Sequence, residues 1–354
     1  MKFLFVVQGE GRGHLTQAIA LYEMLTNNGH EVIAVLVGRS NRRELPSFFL
    51  KKIQSEVLYF NSPNFLPASK NKQTDIWKSI FYNLLKSGSY LKSIHFIRKQ
   101  IKSLNVDVVV NFYEMLTGLS YSISPPKTPY LCVAHQYLFL HPEYRFPNAN
   151  KIELKLLRSF TRITCIKASK LLALSMKKME NVPERGIVVV PPLLRTDIFN
   201  TEVSEGNYIQ GYLLNDNYAE KIIKFQEENP DIFIKFFWDR KGVEDITVIN
   251  DRLSFYRLND KLFVEQMAGC KAYATTAGFE SVCEAMYMGK PVLMVPTHIE
   301  QACNAFEASQ SGAGVVSDDF DLNILLEYIP QYRKNPSFQN WVHQAHEYFI
   351  KEFQ

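Results

Sequence analysis

No apolar run in this chain approaches the roughly 18 residues that cross a bilayer, so the sequence predicts no membrane-spanning helix. Cysteine is scarce: Cys132, Cys165, Cys270, Cys283 and Cys303 are scattered, odd in number and never spaced as CxxC. That pattern speaks against a disulfide framework and against a zinc knuckle, and it fits reduced thiols. No segment repeats with a period of about 20 to 50 residues, which removes solenoids and propellers. Low-complexity tracts are absent, and with 46% hydrophobic and 21% charged residues the chain has the composition of a folded globular protein. It also lacks zinc-finger spacing and an aromatic-interleaved RNA motif, so no nucleic-acid partner is expected. The N-terminal KFLFVVQ runs straight into a Gly-rich turn without a small-residue cleavage site. It reads as a first strand, not as a signal peptide, and the location expected is cytoplasmic.

What is present is a strand–helix rhythm that runs twice. At 354 residues the chain is long enough for two domains. KFLFVV, HEVIAVLVG, VDVVVNF, PYLCVAH, KLLALS and GIVVVPP are short runs rich in Val, Ile and Leu, most of them separated by helical stretches. Continuous apolar runs of this length mark strands buried on both faces, as in a parallel sheet. Pro191-Pro192 ends the pattern and it restarts at YIQGYLL, followed by IFIKFFW, LSFYRL, KAYATT, PVLMVP and GAGVVS. The architecture predicted is α/β: two tandem Rossmann-like, doubly wound domains facing across a cleft. The boundaries expected are 1–195, 196–335 and a C-terminal helix, 336–354, packing back towards the first domain.

Charge is divided unevenly. Residues 1–200 hold 27 Lys and Arg against 13 Asp and Glu, and residues 201–354 hold 13 against 23. A basic first half suits a phosphate-bearing acceptor or an anionic membrane surface, giving a peripheral location on the inner membrane face; plain solvation explains it equally well. The stretch from Ile76 to Leu104 mixes Trp77, Phe81, Leu84, Leu85, Tyr90, Ile94, Phe96 and Ile97 with Lys78, Lys86, Lys92, Arg98, Lys99 and Lys102. Both a core helix pair and an interfacial surface fit it.

The most specific segment is ATTAGFESVCEAMYMGKPVLMVPTHIEQACNA, residues 274–305. A strand ends at Ala277-Gly278 and opens directly into a helix. Such a turn presents backbone N–H groups and a positive helix end, which suits a pyrophosphate. Gly278 allows close approach of backbone to phosphate, and Thr275 and Thr276 add hydroxyls. Glu284, three residues after Ser281, is placed to accept the hydroxyls of a ribose. Glu300 and Gln301 open the next helix, where a carboxylate and an amide can hold sugar hydroxyls.

This segment resembles the donor-binding region of GT-B-fold glycosyltransferases, among them the UDP-glycosyltransferases and the peptidoglycan N-acetylglucosaminyltransferase. Gly278, Ser281, Glu284, Ala285, Gly289, Pro291, Pro296, Glu300, Gln301, Asn304 and Ala305 stand at matching places. The resemblance implies a donor site of Thr275, Thr276, Gly278, Phe279, Ser281, Glu284, Glu300, Gln301 and Asn304. Within it, Glu284 would take the ribose, the Gly278 turn the diphosphate, and Glu300 with Gln301 the sugar. One departure stands out: Thr276 lies where the plant enzymes carry a phosphate-binding His.

At the other end, Gly9-Glu10-Gly11-Arg12-Gly13-His14 follows the first strand. The second strand finishes Val37-Gly38-Arg39-Ser40, without the acid that a dinucleotide fold needs. The phrase instead resembles the opening of a bacterial and archaeal GT-B branch, Gly-Glu-Gly-x-Gly-His. His14 is the candidate general base, since its ordinary pKa near 6.5 suits deprotonating an acceptor hydroxyl; phosphate contact and plain packing stay open for it. Gly11, Arg12 and Gly13 are candidates for contact with acceptor or phosphate. Glu114 and His135 follow two further strand ends, Glu114 as a candidate catalytic residue that orients His14 or binds the acceptor and His135 as an acceptor or phosphate contact, with capping or surface roles equally open.

Asp319-Phe320-Asp321 has a metal-binding DxD spacing but precedes a helical run, so capping is the better reading and no metal is expected. No cofactor is expected either, because the nucleotide-sugar is a substrate. The function implied is transfer of a hexosyl group from a nucleotide-sugar, by resemblance a UDP-sugar, to a hydroxyl of a glycan or lipid-linked, cell-envelope acceptor. The chemistry would be metal-independent and inverting. Two rivals remain: a nucleotide-sugar 2-epimerase or hydrolase on the same fold, and a non-catalytic nucleotide-sugar-binding subunit.

Overall fold

The computed structural model describes every residue except 40–44, 64–86, 124, 214–217, 239, 241 and 354. By compactness the chain divides into two units, one of Met1–Arg195 with His343–Gln354, the other of Thr196–Val342.

The first unit is built on seven parallel strands: β1 (Lys2–Gln8), β2 (Glu31–Arg39), β3 (Glu56–Asn61), β4 (Val108–Phe112), β5 (Tyr130–Ala134), β6 (Lys170–Leu174) and β7 (Ile187–Val190). Their order is β3-β2-β1-β4-β5-β6-β7. Phe3 to Val7 and Val109 to Val110 have no exposed surface, because helices cover both faces of the sheet. Strand order reverses between β1 and β4. In an open α/β sheet that point leaves a crevice beyond the strand ends, where ligands bind.

The second unit repeats the plan with β8 (Tyr208–Leu213), β9 (Phe233–Trp238), β10 (Ile246–Asn250), β11 (Leu253–Arg257), β12 (Ala272–Thr275), β13 (Val292–Met294) and β14 (Gly314–Val316). The order is β10-β11-β9-β8-β12-β13-β14, and every pairing is parallel except β10 with β11. Here the order reverses between β8 and β12. The core of this sheet's face includes Ile209, Ile222, Phe236, Phe255, Leu293 and Leu325.

Two strands go beyond the sequence pattern, β3 and β10. β10 lies on a sheet edge and leaves Ile246, Val248 and Ile249 exposed, so no buried face imposes a pattern on it. The C-terminal stretch expected as one helix is two, Pro336–His343 and Ala345–Glu352, separated by Gln344 at φ −80° and ψ −5°. The first goes with the second unit, apart from its last residue, and the second with the first unit. There Phe353 packs edge-on against Phe3 at 5.3 Å, and Lys170 pairs with Glu352 at 2.7 Å.

Of the basic stretch 76–104, Trp77, Lys78, Phe81, Leu84, Leu85 and Lys86 lie outside the described residues. Its described part is the helix Ser87–Ser103, which buries Ile94, Ile97 and Ile101 in the core. Among the described residues no helix is long and apolar enough to cross a membrane. Asp321 caps helix Leu322–Tyr328 by accepting from the Asn323 N–H at 3.0 Å, and Asp319 pairs with Lys221.

Candidate functional site

In the first unit, the loop after β1 and the loop after β4 meet at the strand-order reversal. The chain leaves β1 at Gln8, whose side-chain oxygen accepts from the Gly11 N–H at 3.1 Å. Gly9 must be glycine: a Cβ there would stand 2.7 Å from the Gly38 carbonyl oxygen and 2.7 Å from Val37 Cγ1. Helix Arg12–Asn27 then starts with Gly11 as N-cap, with no side-chain cap and no acid in its first turn. An uncapped helix start of this kind favours an anion. Arg12 and Gly13 form its first turn.

His14, on the same turn, is buried. Its Nδ1 meets Gln17 Oε1 at 3.3 Å, and its ring stacks on Tyr113 at 5.3 Å and 29°. Tyr113 holds a left-handed backbone, φ +61°, and its hydroxyl meets Thr161 Oγ1 at 2.8 Å. A bulky residue in that region is strained and persists only where its surroundings enforce it. The enforcing groups are a ring clamped between neighbours and Asn111, which accepts from the Glu114 N–H and donates to the Glu114 and Thr164 carbonyls.

Glu114 is fully buried beside this turn. Its carboxylate accepts from the Ser62 hydroxyl at 2.8 Å and from the Leu116 N–H at 3.0 Å. Burial pushes the Glu114 carboxyl up to about 7, helped by the charge of Glu10 and opposed by the Leu116 and Ser62 hydrogen bonds. Gly38 is the second obligatory glycine, because a Cβ there would overlap Glu114 Oε2. His135, at the end of β5, is buried with Nδ1 2.9 Å from the Leu174 carbonyl and packs edge-on against Phe139.

In the second unit, β12 ends at the strand-order reversal and the chain turns through Thr276, Ala277 and Gly278. Ala277, not Gly278, carries the left-handed backbone, at φ +62°. Gly278 has φ −67° and ψ 131°, and a Cβ there would meet only Ser281 Oγ, at 3.5 Å. Neither conformation nor packing within the protein requires glycine at this position. Gly278 is the N-cap of helix Phe279–Tyr287, without a side-chain cap. The Ser281 hydroxyl bends back to the Gly278 carbonyl at 3.2 Å, Phe279 is buried, and Glu284 is buried on the second turn.

The turn is held from one side by helix Ile299–Gln310. Asn304 Nδ2 donates to the Ala277 carbonyl at 3.1 Å. The Gln301 amide is used internally: Oε1 accepts from the Thr297 N–H and hydroxyl at 2.9 and 2.8 Å, and Nε2 donates to Thr276 Oγ1 at 3.4 Å. Glu300 stands half-buried at the same helix start. The Thr275 hydroxyl and Asn304 Oδ1 are buried without a hydrogen-bond partner among the described residues. Residue types and spacing disclosed the glycines, Glu284 and His14. Gln17, Ser62, Asn111 and Tyr113 were missed; Gln17 alone carried a readable signal, one helical turn after His14.

Both uncapped helix starts lie beyond a strand end where sheet order reverses. The family described as Glycosyl transferase family 1 matches residues 1–332. The chain belongs to that family. No curated protein matches the sequence. Solved structures match over nearly the whole chain at low identity. The glycotransferase of kitacinnamycin is 13% identical, with a TM-score of 0.63, covering 99% of this chain and 95% of the other. Arabidopsis thaliana UGT89C1, complexed with UDP-L-rhamnose, is 14% identical with a TM-score of 0.62, covering 98% and 94%. Phytolacca americana UGT2, complexed with UDP-2fluoro-glucose and pterostilbene, is 14% identical with a TM-score of 0.61, covering 99% and 94%. The family member described here therefore has the GT-B fold, with two parallel-dominated seven-stranded sheets.

Proposed function

We propose that this chain transfers a hexosyl group from a UDP-sugar to a hydroxyl acceptor, with the donor held by the second unit and the acceptor hydroxyl deprotonated by His14 of the first. The observation that carries the reading is the Thr276–Ala277–Gly278 turn. It is an uncapped helix start at a strand-order reversal, with a glycine that nothing in the protein requires and room for a Cβ, which would meet only Ser281 Oγ at 3.5 Å. A diphosphate would explain all of these, because its oxygens accept from the first-turn N–H groups and need the backbone uncovered. The UDP-sugar bound in similar structures supports the choice of nucleotide.

In this reading Glu284, buried on the same helix, accepts the ribose hydroxyls. Glu300 accepts from the sugar. Gln301 and Asn304 act chiefly by fixing the turn, since their amides are bonded to Thr297, Thr276 and Ala277. The helix start stabilises the charge that develops on the departing UDP. His14 Nε2 takes the acceptor proton if Nδ1–H is the nitrogen that donates to Gln17. Arg12, Gly11, Gly13 and His135 belong to the acceptor side. The acceptor is a glycan or a lipid-linked, cell-envelope molecule, the reaction inverts configuration, and no metal takes part.

Thermal unfolding with UDP, GDP, ADP and dTDP tests the donor site. A ligand at a hundred times its Kd adds about 2.7 kcal/mol of stability. UDP should stabilise the wild type and not Glu284→Ala. If no nucleotide stabilises the protein, the transferase reading fails. His14→Ala should keep the UDP shift and lose about 10² to 10⁴ in transfer rate. Full-speed release of free sugar or epimer without acceptor would instead establish a hydrolase or 2-epimerase.

A further inference from the structure

We propose that the outer face of helix Lys151–Thr164 docks this protein on an anionic phospholipid surface. The helix is anchored on one side only. Thr161 and Thr164 are buried, with Thr161 bonded to Tyr113 and the Thr164 carbonyl accepting from Asn111. Gly118 lets helix Met115–Ile123 pack directly against its C-terminal turn, since a Cβ there would overlap the Ile163 carbonyl. Half a turn away from this seam the helix carries Ile152, 70% exposed, and Leu156, 42% exposed, at i and i+4, with half-buried Ile163 continuing the stripe.

Beside that stripe runs a second one of a single sign. Lys151, Lys155, Arg158 and Arg162 follow each other at spacings of four, three and four, which places them along one edge of the apolar face. Arg185 comes close enough to join them, so that Arg158 feels the charge of both Arg162 and Arg185 on top of its own burial, and its pKa is lowered. Arg185 is satisfied by the Leu140 carbonyl and Arg158 lies over the Phe146 ring. No carboxylate among the described residues pairs with any of these three guanidiniums, and Arg158 Nε is buried without a hydrogen-bond partner. Glu153 is the one acid on the helix.

Exposed Ile152 and Leu156 leave apolar surface in water, and the row of cations beside them has no paired carboxylate among the described residues to offset its mutual repulsion, two costs that water alone leaves standing. Each half of the cost is relieved by a different part of a bilayer: phosphate groups neutralise the cations, and the acyl boundary takes the apolar stripe. A protein groove would have to supply both an apolar channel and a row of acids. The helix Ser87–Ser103, also basic in sequence, exposes Leu91 but turns Ile94, Ile97 and Ile101 into the core, so it carries no paired apolar stripe like that of Ile152 and Leu156. The inference goes beyond the transfer reading and does not depend on it.

The test is co-sedimentation of the full chain with vesicles of phosphatidylcholine alone or mixed with an equal amount of phosphatidylglycerol. The wild type should bind the mixed vesicles, bind more weakly as salt rises, and leave the neutral ones free. Ile152→Asp with Leu156→Asp, and separately Lys151→Glu with Lys155→Glu, should each weaken binding by about tenfold or more. Both variants should melt as the wild type does and keep any UDP shift, which shows that they are folded. Equal binding to neutral vesicles overturns the proposal, as does binding that neither variant weakens. So does a dimer without lipid that Ile152→Asp with Leu156→Asp converts to monomer, because the stripe would then be a self-association surface. Stabilisation by inorganic phosphate without vesicle binding also overturns it.

Discussion

Glu114 is a buried acid whose protonation belongs to the folded state. Its carboxyl is raised from the ordinary 4.5 to about 7, mainly by burial. The folded chain therefore holds this proton more tightly than the unfolded chain does. Stability from this group is complete below about pH 4.5 and is lost as pH rises through about 7, a difference of about 3 kcal/mol. Urea midpoints at about pH 5 and pH 8 should show that loss in the wild type. In Glu114→Gln, which carries no charge at either pH, this contribution should disappear. An equal decline in both proteins would mean that other groups govern it. The left-handed Ala277 allows a second check. Ala277→Gly should leave stability unchanged or raise it by up to about 1 kcal/mol, because glycine adopts φ +62° without steric cost. A fall of more than that would show that the Ala277 methyl, which is fully buried, matters more than the strain.

Elements divide into those the sequence displayed and those it hid. β1 was legible because a strand covered on both faces reads as an unbroken apolar run. β3 and β10 were not, because edge strands are half wet and lose the pattern. The Asp319–Asp321 segment shows the same logic at a helix start. Its spacing resembles a metal site, but Asp321 caps a helix and Asp319 pairs with Lys221. Asp321→Ala should cost about 1 kcal/mol of stability in chemical denaturation, and chelator should leave transfer by the wild type unchanged. Loss of activity on adding chelator would reverse the metal-independent reading.

Taken as a whole, the molecule ends in the unit where it began. Helix Ala345–Glu352 buries Phe349 completely and is followed by Phe353 against Phe3 of the first strand. Phe349→Ala should cost about 3 to 5 kcal/mol, and the loss should fall on the first unit. Hydrogen exchange should find faster exchange in β1 and β7 with the second sheet unaffected; equal acceleration in both sheets would mean that the two units unfold together. Charge asymmetry also acts at this scale. It was plain from counting, but only the structure concentrates part of it beside exposed Ile152 and Leu156 on one helix.

By itself the sequence determined the α/β class and the glycine-bounded helix starts after β1 and β12. Those properties are local: a run of apolar residues, a turn, a helix that begins without a cap. It also placed Glu284 and His14 on first or second helical turns, because helix geometry follows directly from spacing. The tertiary structure decided the partners. That Glu114 faces Ser62, 52 positions back, that Tyr113 is held left-handed with its hydroxyl on Thr161, 48 positions on, and that Gln301 reaches Thr276, 25 positions back, all depend on strand order. No spacing rule encodes these, since a hydrogen bond across a sheet is set by which strands become neighbours and how deeply their ends are buried.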